Sequence, residues 1–451
     1  MYRFAQYKAQ YRANLRLAFP IMLAQLGQIL TQFADNLMVG RYGGDDAVPL
    51  AAVSFGGAVF FLVFITLLGF TMGLTPLVGQ LYARSDRHRA AQLLHNGLTF
   101  YTLLGLAAAA AQWLATPLLY RLGQPVEVVD AAVPYYRMMV CSMPFLMCFF
   151  AFKQFLEGVA NTKAAMAATV LSNLANIAFN WIFIYGHWGF REMGAEGAGL
   201  ATLLARILAA ALLAGYFYSR PRYRSYMQGY RPGGLSRRCI GQLSRIGLPI
   251  AMQMFLESSA FVGTGIMMGW FSAETMSANQ IAITLGNCAF MIVVSVGSAA
   301  TIRVSHCFGA RDAVGLAQAA RASFHLVLVW NAFAATLFVA GRHVIPQCFT
   351  TNAEVLAIAS DLLVCTALFQ LSDGLQNVAI GVLRGIQDVK IIMPIAFAAY
   401  WLLNLPVGYL LGFTLGLGPS GLFLGYTFGL TSAAVLLHLR IRRRIGEGLF
   451  R

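Results

Sequence analysis

The chain has 451 residues, of which 59% are hydrophobic and only 11% charged, with a formal net charge of +15. Such a composition excludes a soluble globular protein and is far too long for a single-span anchor, while the long uninterrupted apolar runs exclude a β-barrel, whose strands alternate over short segments. The basic excess sits in helix ends and loops that meet anionic headgroups, and neither zinc-ligand spacing, a GxxxxGK[ST] loop nor an RNA-reading motif accompanies it, so nucleic acid is not expected as a partner.

Met1 to Arg16 is polar and basic with no small-residue cleavage site, so the N-terminus is expected to be retained. Twelve apolar runs follow, at 15–40, 50–80, 93–118, 133–156, 162–187, 195–218, 241–270, 279–303, 318–341, 357–381, 390–413 and 419–439. Each is long enough to cross a hydrocarbon layer of about 30 Å as a helix, which predicts an all-α integral membrane protein. Basic residues cluster in alternate connections: four from Arg3 to Arg16 at the N-terminal end, seven from Arg220 to Arg245 and five from Arg440 to Arg451. The intervening connections hold only Arg41, Arg121, Arg191 and Arg342, while Arg137 and Arg206 fall inside runs. The positive-inside rule therefore places both termini in the cytoplasm. Acidic residues such as Asp45, Asp46, Glu127 and Glu354 are expected on the opposite side, and Arg384 in a cytoplasmic connection. The seven cysteines show no CxxC spacing, which predicts neither a disulfide framework nor a metal site. The seven histidines form no constellation with a nucleophile, so an enzyme is not expected.

The basic, acid-free stretch 219–240 separates six runs from six and predicts a linker between lobes 1–218 and 241–451. The lobes repeat one plan. A shift of 229 lays Pro20 on Pro249; a shift of 226 lays Thr75 on Thr301 and Asp86 on Asp312; a shift of 227 lays 158-GVANTKAAM-166 on 385-GIQDVKIIM-393. Six runs per half make these parallel repeats, an arrangement found in transporters that alternate access to a midplane cavity. Pro20 and Pro249 are candidate hinges, because proline removes a helix hydrogen bond; a place near a helix start is the other reading.

Three acids fall within spans: Asp35, Glu257 and Asp373. A charge at the bilayer centre costs about 2.5–3.5 kcal/mol on insertion scales, so it is expected to face protein and to act there. Gln25, Gln28, Gln32 and Asp35 lie at i, i+3, i+7 and i+10, one polar stripe on an apolar helix. Gln253 and Glu257 are i and i+4; Gln370, Asp373 and Asn377 are i, i+3 and i+7; so are Asn173, Asn176 and Asn180. The amides taken singly also suit interhelical bonding. The carboxyls predict an ion or proton site.

The stretches 20-PIMLAQLGQILTQFADNLMVGRYG-43, 69-GFTMGLTPLVGQLYARSD-86, 176-NIAFNWIFIYG-186, 194-GAEGAGLATLLARI-207 and 247-GLPIAMQMFLES-258 resemble the multidrug and toxic compound extrusion (MATE) transporters, NorM-like branch. The resemblance covers the whole chain. It implies two six-helix lobes around a V-shaped cavity, and export of cationic or amphipathic compounds against inward H+ or Na+, with no other cofactor. It implies coupling roles for Asp35, Asn176, Asn180, Thr202, Glu257 and Asp373, and a monomer in the inner (plasma) membrane in contact with lipids. Gln28, Gln32, Gln253, Gln280 and Asn377 are candidates to line the substrate cavity. Some relatives carry aspartate at the place of Asn180 and tyrosine at that of Phe369, which leaves the ion open between H+ and Na+. The alternative cargo is a lipid-linked oligosaccharide, carried by flippases with similar lobes, although the inward-facing charges here are acids.

Overall fold

The computed structural model describes residues 2–43, 48–227 and 235–446, so Asp45, Asp46 and the linker residues 228–234 lie outside the described residues. In chain order the helices are α1 (Tyr2–Gly43), α2 (Val48–Thr71), α3 (Leu74–Ala83), α4 (Arg87–Leu114), α5 (Val126–Cys141), α6 (Met143–Gly158), α7 (Thr162–Tyr185), α8 (Gly194–Ser219), α9 (Arg237–Gly269), α10 (Ala273–Gly309), α11 (Ala313–Gly341), α12 (Ala353–Gly385), α13 (Ile392–Ala396), α14 (Leu405–Tyr409) and α15 (Gly418–Gly446). Among the described residues there is no strand, and twelve helical segments are long and apolar enough to cross a membrane. They coincide with the twelve expected runs and differ in detail. Three are compound: α2 runs on into α3, α5 into α6, and the eleventh, Ile392–Thr414, contains two π-helical stretches, Phe397–Asn404 and Leu410–Thr414. Pro406 follows the first π stretch and offers no N–H to the turn before it, one route to a misaligned ladder.

The chain divides into two compact units, Leu23–Ala251 and Met1–Met22 with Met252–Arg451. Both divisions fall inside helices, α1 and α9, rather than in the 219–240 stretch chosen from its charge. Side chains give the reason. Asn14 is fully buried and donates to Ser323 Oγ of α11 at 2.8 Å, and Arg303 of α10 donates to Asn14 Oδ1 at 3.0 Å. The first five turns of α1 are thereby tied to the second unit's helices. In α9, Gly247 meets Gly73 so closely that a Cβ on Gly73 would lie 2.9 Å from the Gly247 nitrogen, which ties the start of α9 to α3. Pro20 and Pro249 each lie inside their helix, two residues before the division, so the reading that places them near a helix start does not hold.

Within the unit Leu23–Ala251 the centre is α6, where Phe149, Phe150, Phe152 and Phe155 are all buried, with Phe155 edge-on to Phe217 of α8. The other unit buries Met268, Leu362, Tyr400 and Tyr426 in one cluster, with Phe261 stacked on Tyr426 at 4.6 Å. The repeat holds to single atoms. Thr75 donates to the Gln154 carbonyl and Thr301 to the Gly381 carbonyl, each at 3.0 Å. Asp86 accepts from Arg89 N at the start of α4, and Asp312 from Gly315 N at the start of α11, the same N-cap. Ser85 and Arg311 share φ 58°, and Ala160 and Gln387 have φ 60° and 62°, so even the left-handed turns recur.

Candidate functional site

Asp35 is half-buried in the last third of α1 and accepts a short hydrogen bond from Asn180 Nδ2 of α7. Asn180, fully buried, also donates to Asn176 Oδ1 at 3.3 Å, one turn away on the same face. Asn176 Nδ2 donates to Thr202 Oγ1 of α8 at 3.3 Å, and Thr202 passes its own proton to the Ala198 carbonyl at 2.9 Å. Asp35, Asn180, Asn176 and Thr202 thus form one chain of bonds across three helices. The i, i+4 spacing of the two asparagines is what lets one helix serve both neighbours. Asn173 belongs to this face as well, its amide lying 3.2 Å from the place of a Cβ on Gly27.

Arg206 is the member that periodicity did not assign. It stands one turn beyond Thr202 on α8, donates to Ser142 Oγ at 2.5 Å, and lies over the Phe60 ring at 4.9 Å from its centre. Its charge interacts with Asp35 and with the Tyr135 hydroxyl. Its position inside an apolar run is the signal that could have found it, since a cation there needs partners as an acid does.

The second unit builds a different cluster. Gln253 Nε2 of α9 donates to Glu257 Oε2 at 2.6 Å, and the Tyr400 hydroxyl of the first π stretch also bonds Glu257. Gln376 of α12 donates to the Tyr400 oxygen at 2.7 Å. Asp373, buried on α12, faces Glu257 as a like charge. Arg384 closes the cluster, donating from Nη2 to Gln253 Oε1 at 2.9 Å. Gln253, a candidate for the substrate cavity, is 3% exposed here, with both ends of its amide engaged. Arg384 is no loop cation, because the last turn of α12 carries it and its guanidinium reaches Gln253 of α9.

Of the remaining candidates, Gln28, Gln32 and Gln280 are exposed, and Asn377 is half-buried with its amide oxygen against Gly297 of α10. Phe369, at the place of the family tyrosine, packs its ring 5.5 Å from that of Tyr426. Glu157, a helix-end acid by sequence, is buried at the end of α6 with Lys153 at 4.0 Å. Outside the spans, Asp388 accepts from Arg440 Nε at 2.8 Å and from Arg444 Nε at 2.7 Å. Burial alone would raise its carboxyl, but those two arginines outweigh burial and hold it below the ordinary carboxylate range.

Two like-built units, each carrying ionisable groups bonded inside its spans, define a membrane transporter rather than an enzyme. The MatE family model matches residues 20–182 and again 249–410, at the offset that relates Pro20 to Pro249. Over 441 residues the chain is 33% identical to the probable multidrug resistance protein NorM of Rhizobium meliloti, covering 96% of this chain and 93% of that protein. It is 31% identical over 443 residues to the multidrug resistance protein NorM of Photobacterium profundum, covering 97% and 96%. Solved structures share the fold: an outward-facing multidrug resistance MATE family transporter of the MOP superfamily (TM-score 0.87, 20% identity, 98% and 97% covered) and the eukaryotic MATE transporter AtDTX14 (0.87, 19%, 98% and 99%). The chain belongs to the MatE family.

Proposed function

We propose that the protein is a secondary active exporter that moves cationic or amphipathic organic compounds out of the cell in exchange for H+ or Na+, by alternating access. The observation that carries this reading is Asp35, an acid inside a span that accepts from the Asn180 amide and, through it, joins a bonded chain to Asn176 and Thr202. The relatives named as multidrug resistance proteins support the cargo class. Inward movement of one positive charge supplies about 2.3 kcal/mol per 100 mV. That energy drives export if ion and drug favour opposite arrangements of the lobes.

At Asp35 the reading favours the proton. Sodium needs several oxygen ligands, and besides the carboxylate only Asn180 Oδ1 is left unbonded here, since Asn176 Oδ1 and Thr202 Oγ1 already accept N–H donors. A proton needs only the carboxyl. Glu257 and Asp373 form a second cation site in the other unit, with Pro20 and Pro249 as the points where α1 and α9 bend. The location that fits is the inner membrane with both termini cytoplasmic, as a monomer with no cofactor beyond the coupling ion.

Expression in a pump-deficient host is expected to raise tolerance to cationic dyes. Proteoliposomes are expected to expel ethidium when a pH or Na+ gradient is imposed. Absence of both effects for every cationic compound tried would overturn the reading.

A further inference from the structure

We infer that Arg384 is the positioning residue of the second acid pair: through Gln253 it sets how tightly Glu257 and Asp373 hold the exchanged monovalent cation, keeping that hold weak enough for release. This rests on the reading of the pair as a cation site.

Three features of the geometry lead there. An amide side chain has one accepting end and one donating end. With Gln253 Oε1 taken by the guanidinium at 2.9 Å, the end turned to Glu257 is the N–H, at 2.6 Å. A cation arriving at Glu257 therefore meets a donor there, where an unbound glutamine could turn its oxygen and become a ligand. Behind the amide stands a permanent positive charge whose field reaches Glu257. The groups facing Glu257 are Gln253 from its own helix, Asp373 and Arg384 from α12, and Tyr400 from the π stretch. With both acids ionised and Arg384 charged, the cluster carries a net charge of about −1, so a single monovalent cation neutralises it. Without the arginine, the first cation would leave a negative charge behind and would itself be held by two carboxylates.

The repeat argues that this charge is no demand of the backbone. The shift of 227 that relates Gly158 to Gly385 sets Arg384 against Glu157. Both neighbouring glycines pack alike, a Cβ on Gly158 lying 3.1 Å from the Thr75 oxygen and one on Gly385 3.1 Å from the Thr301 oxygen. One backbone thus accepts an acid in one lobe and a base in the other. What differs is the cluster each side chain faces. A transporter profits from an ion that leaves as readily as it enters, and an internal competitor for the carboxylates supplies that.

The test uses the full chain in proteoliposomes loaded with ethidium. Efflux rate is measured against external NaCl at fixed pH, and against external pH without sodium. For the cation that drives the wild type, Arg384→Gln is expected to lower the half-saturating concentration about tenfold while also lowering the maximal rate. Arg384→Lys keeps the charge and is expected to stay within about threefold of wild type. An unchanged or raised half-saturating concentration in Arg384→Gln overturns the inference. If Arg384→Gln does not accumulate, Gln253→Leu carries the test, because it cuts the relay and keeps the guanidinium. Its half-saturating concentration is expected to fall about threefold, and a value at or above wild type overturns the inference. Glu257→Gln separates the two levels. Full gradient-driven efflux by that variant removes the cation-site reading itself, whereas an inactive Glu257→Gln beside an unaltered Arg384→Gln removes only the role of Arg384.

Discussion

Replacing Asp388 by asparagine should destabilise the unit that holds α12 and α15, and should do so only above acid pH. Asp388 takes three bonds from two arginines, at 2.8 and 3.3 Å from Arg440 and 2.7 Å from Arg444. The acid side chain is 10% exposed, so its contacts are poorly screened, but Arg444 is 44% exposed and its share is small. The two-pronged Arg440 contact contributes about 1.5 kcal/mol and Arg444 about 0.5 kcal/mol, giving a loss of ~2 kcal/mol. For a unit of this size that lowers the unfolding midpoint by about 5 °C. The pH dependence follows from the depressed carboxyl. A group held below its unfolded value of about 3.9 contributes fully above that pH and loses its contribution as pH falls through the folded value. Thermal unfolding of wild type and Asp388→Asn in detergent at neutral pH and near pH 3 measures both parts. The midpoints should differ at neutral pH, and the gap should narrow as the pH falls toward 3. Equal midpoints at neutral pH, or a gap of unchanged size near pH 3, would count against this role of Asp388.

Two further outcomes follow from the repeat and the divided helices. Gly158→Ala and Gly385→Ala place a methyl group against Val78 and Val304, 2.9 and 2.7 Å from the nearest atoms. Each should cost about 1–3 kcal/mol, and midpoints that fall in one variant but not the other would count against equivalence of the two lobes. Pro20→Ala and Pro249→Ala restore a backbone N–H just before the division of α1 and of α9. Both should insert and fold at wild-type yield yet lower ethidium efflux severalfold, and unimpaired efflux in both would remove the hinge role.

The twelve spans were legible because each is a continuous apolar run, and the twofold plan because Thr75, Asp86 and Gly158 recur with Thr301, Asp312 and Gly385. The start of α1 was not legible. Arg3, Lys8, Arg12 and Arg16 make it read as a polar tail, whereas Asn14 locks that segment onto Ser323 and Arg303 across about 300 residues of sequence. That Asp35, Asn176, Asn180 and Thr202 are neighbours was legible through helical spacing and family resemblance together. The second cluster was half legible: Glu257 and Asp373 stood out as acids, but Tyr400 enters from a π-helical register that α-periodicity does not foresee. Arg384 looked like a loop residue because its backbone sits at a helix end, while its guanidinium reaches Gln253. Long flexible side chains are where position along the chain says least about position in space.

The proposed coupling of ion entry to export through Asp35 is open to measurement with Asp35→Asn. The asparagine keeps size and hydrogen bonding to Asn180 and fixes an uncharged state, and an amide costs less in the membrane than a carboxylate, so insertion should be normal. Wild type and mutant are reconstituted at equal density, and ethidium efflux is followed under a pH gradient alone and then a Na+ gradient alone. Asp35→Asn is expected to bind dye yet lose concentrative efflux driven by the pH gradient. Full efflux by Asp35→Asn under the gradient that drives the wild type would contradict that role of Asp35 and leave Glu257 and Asp373 to carry the coupling.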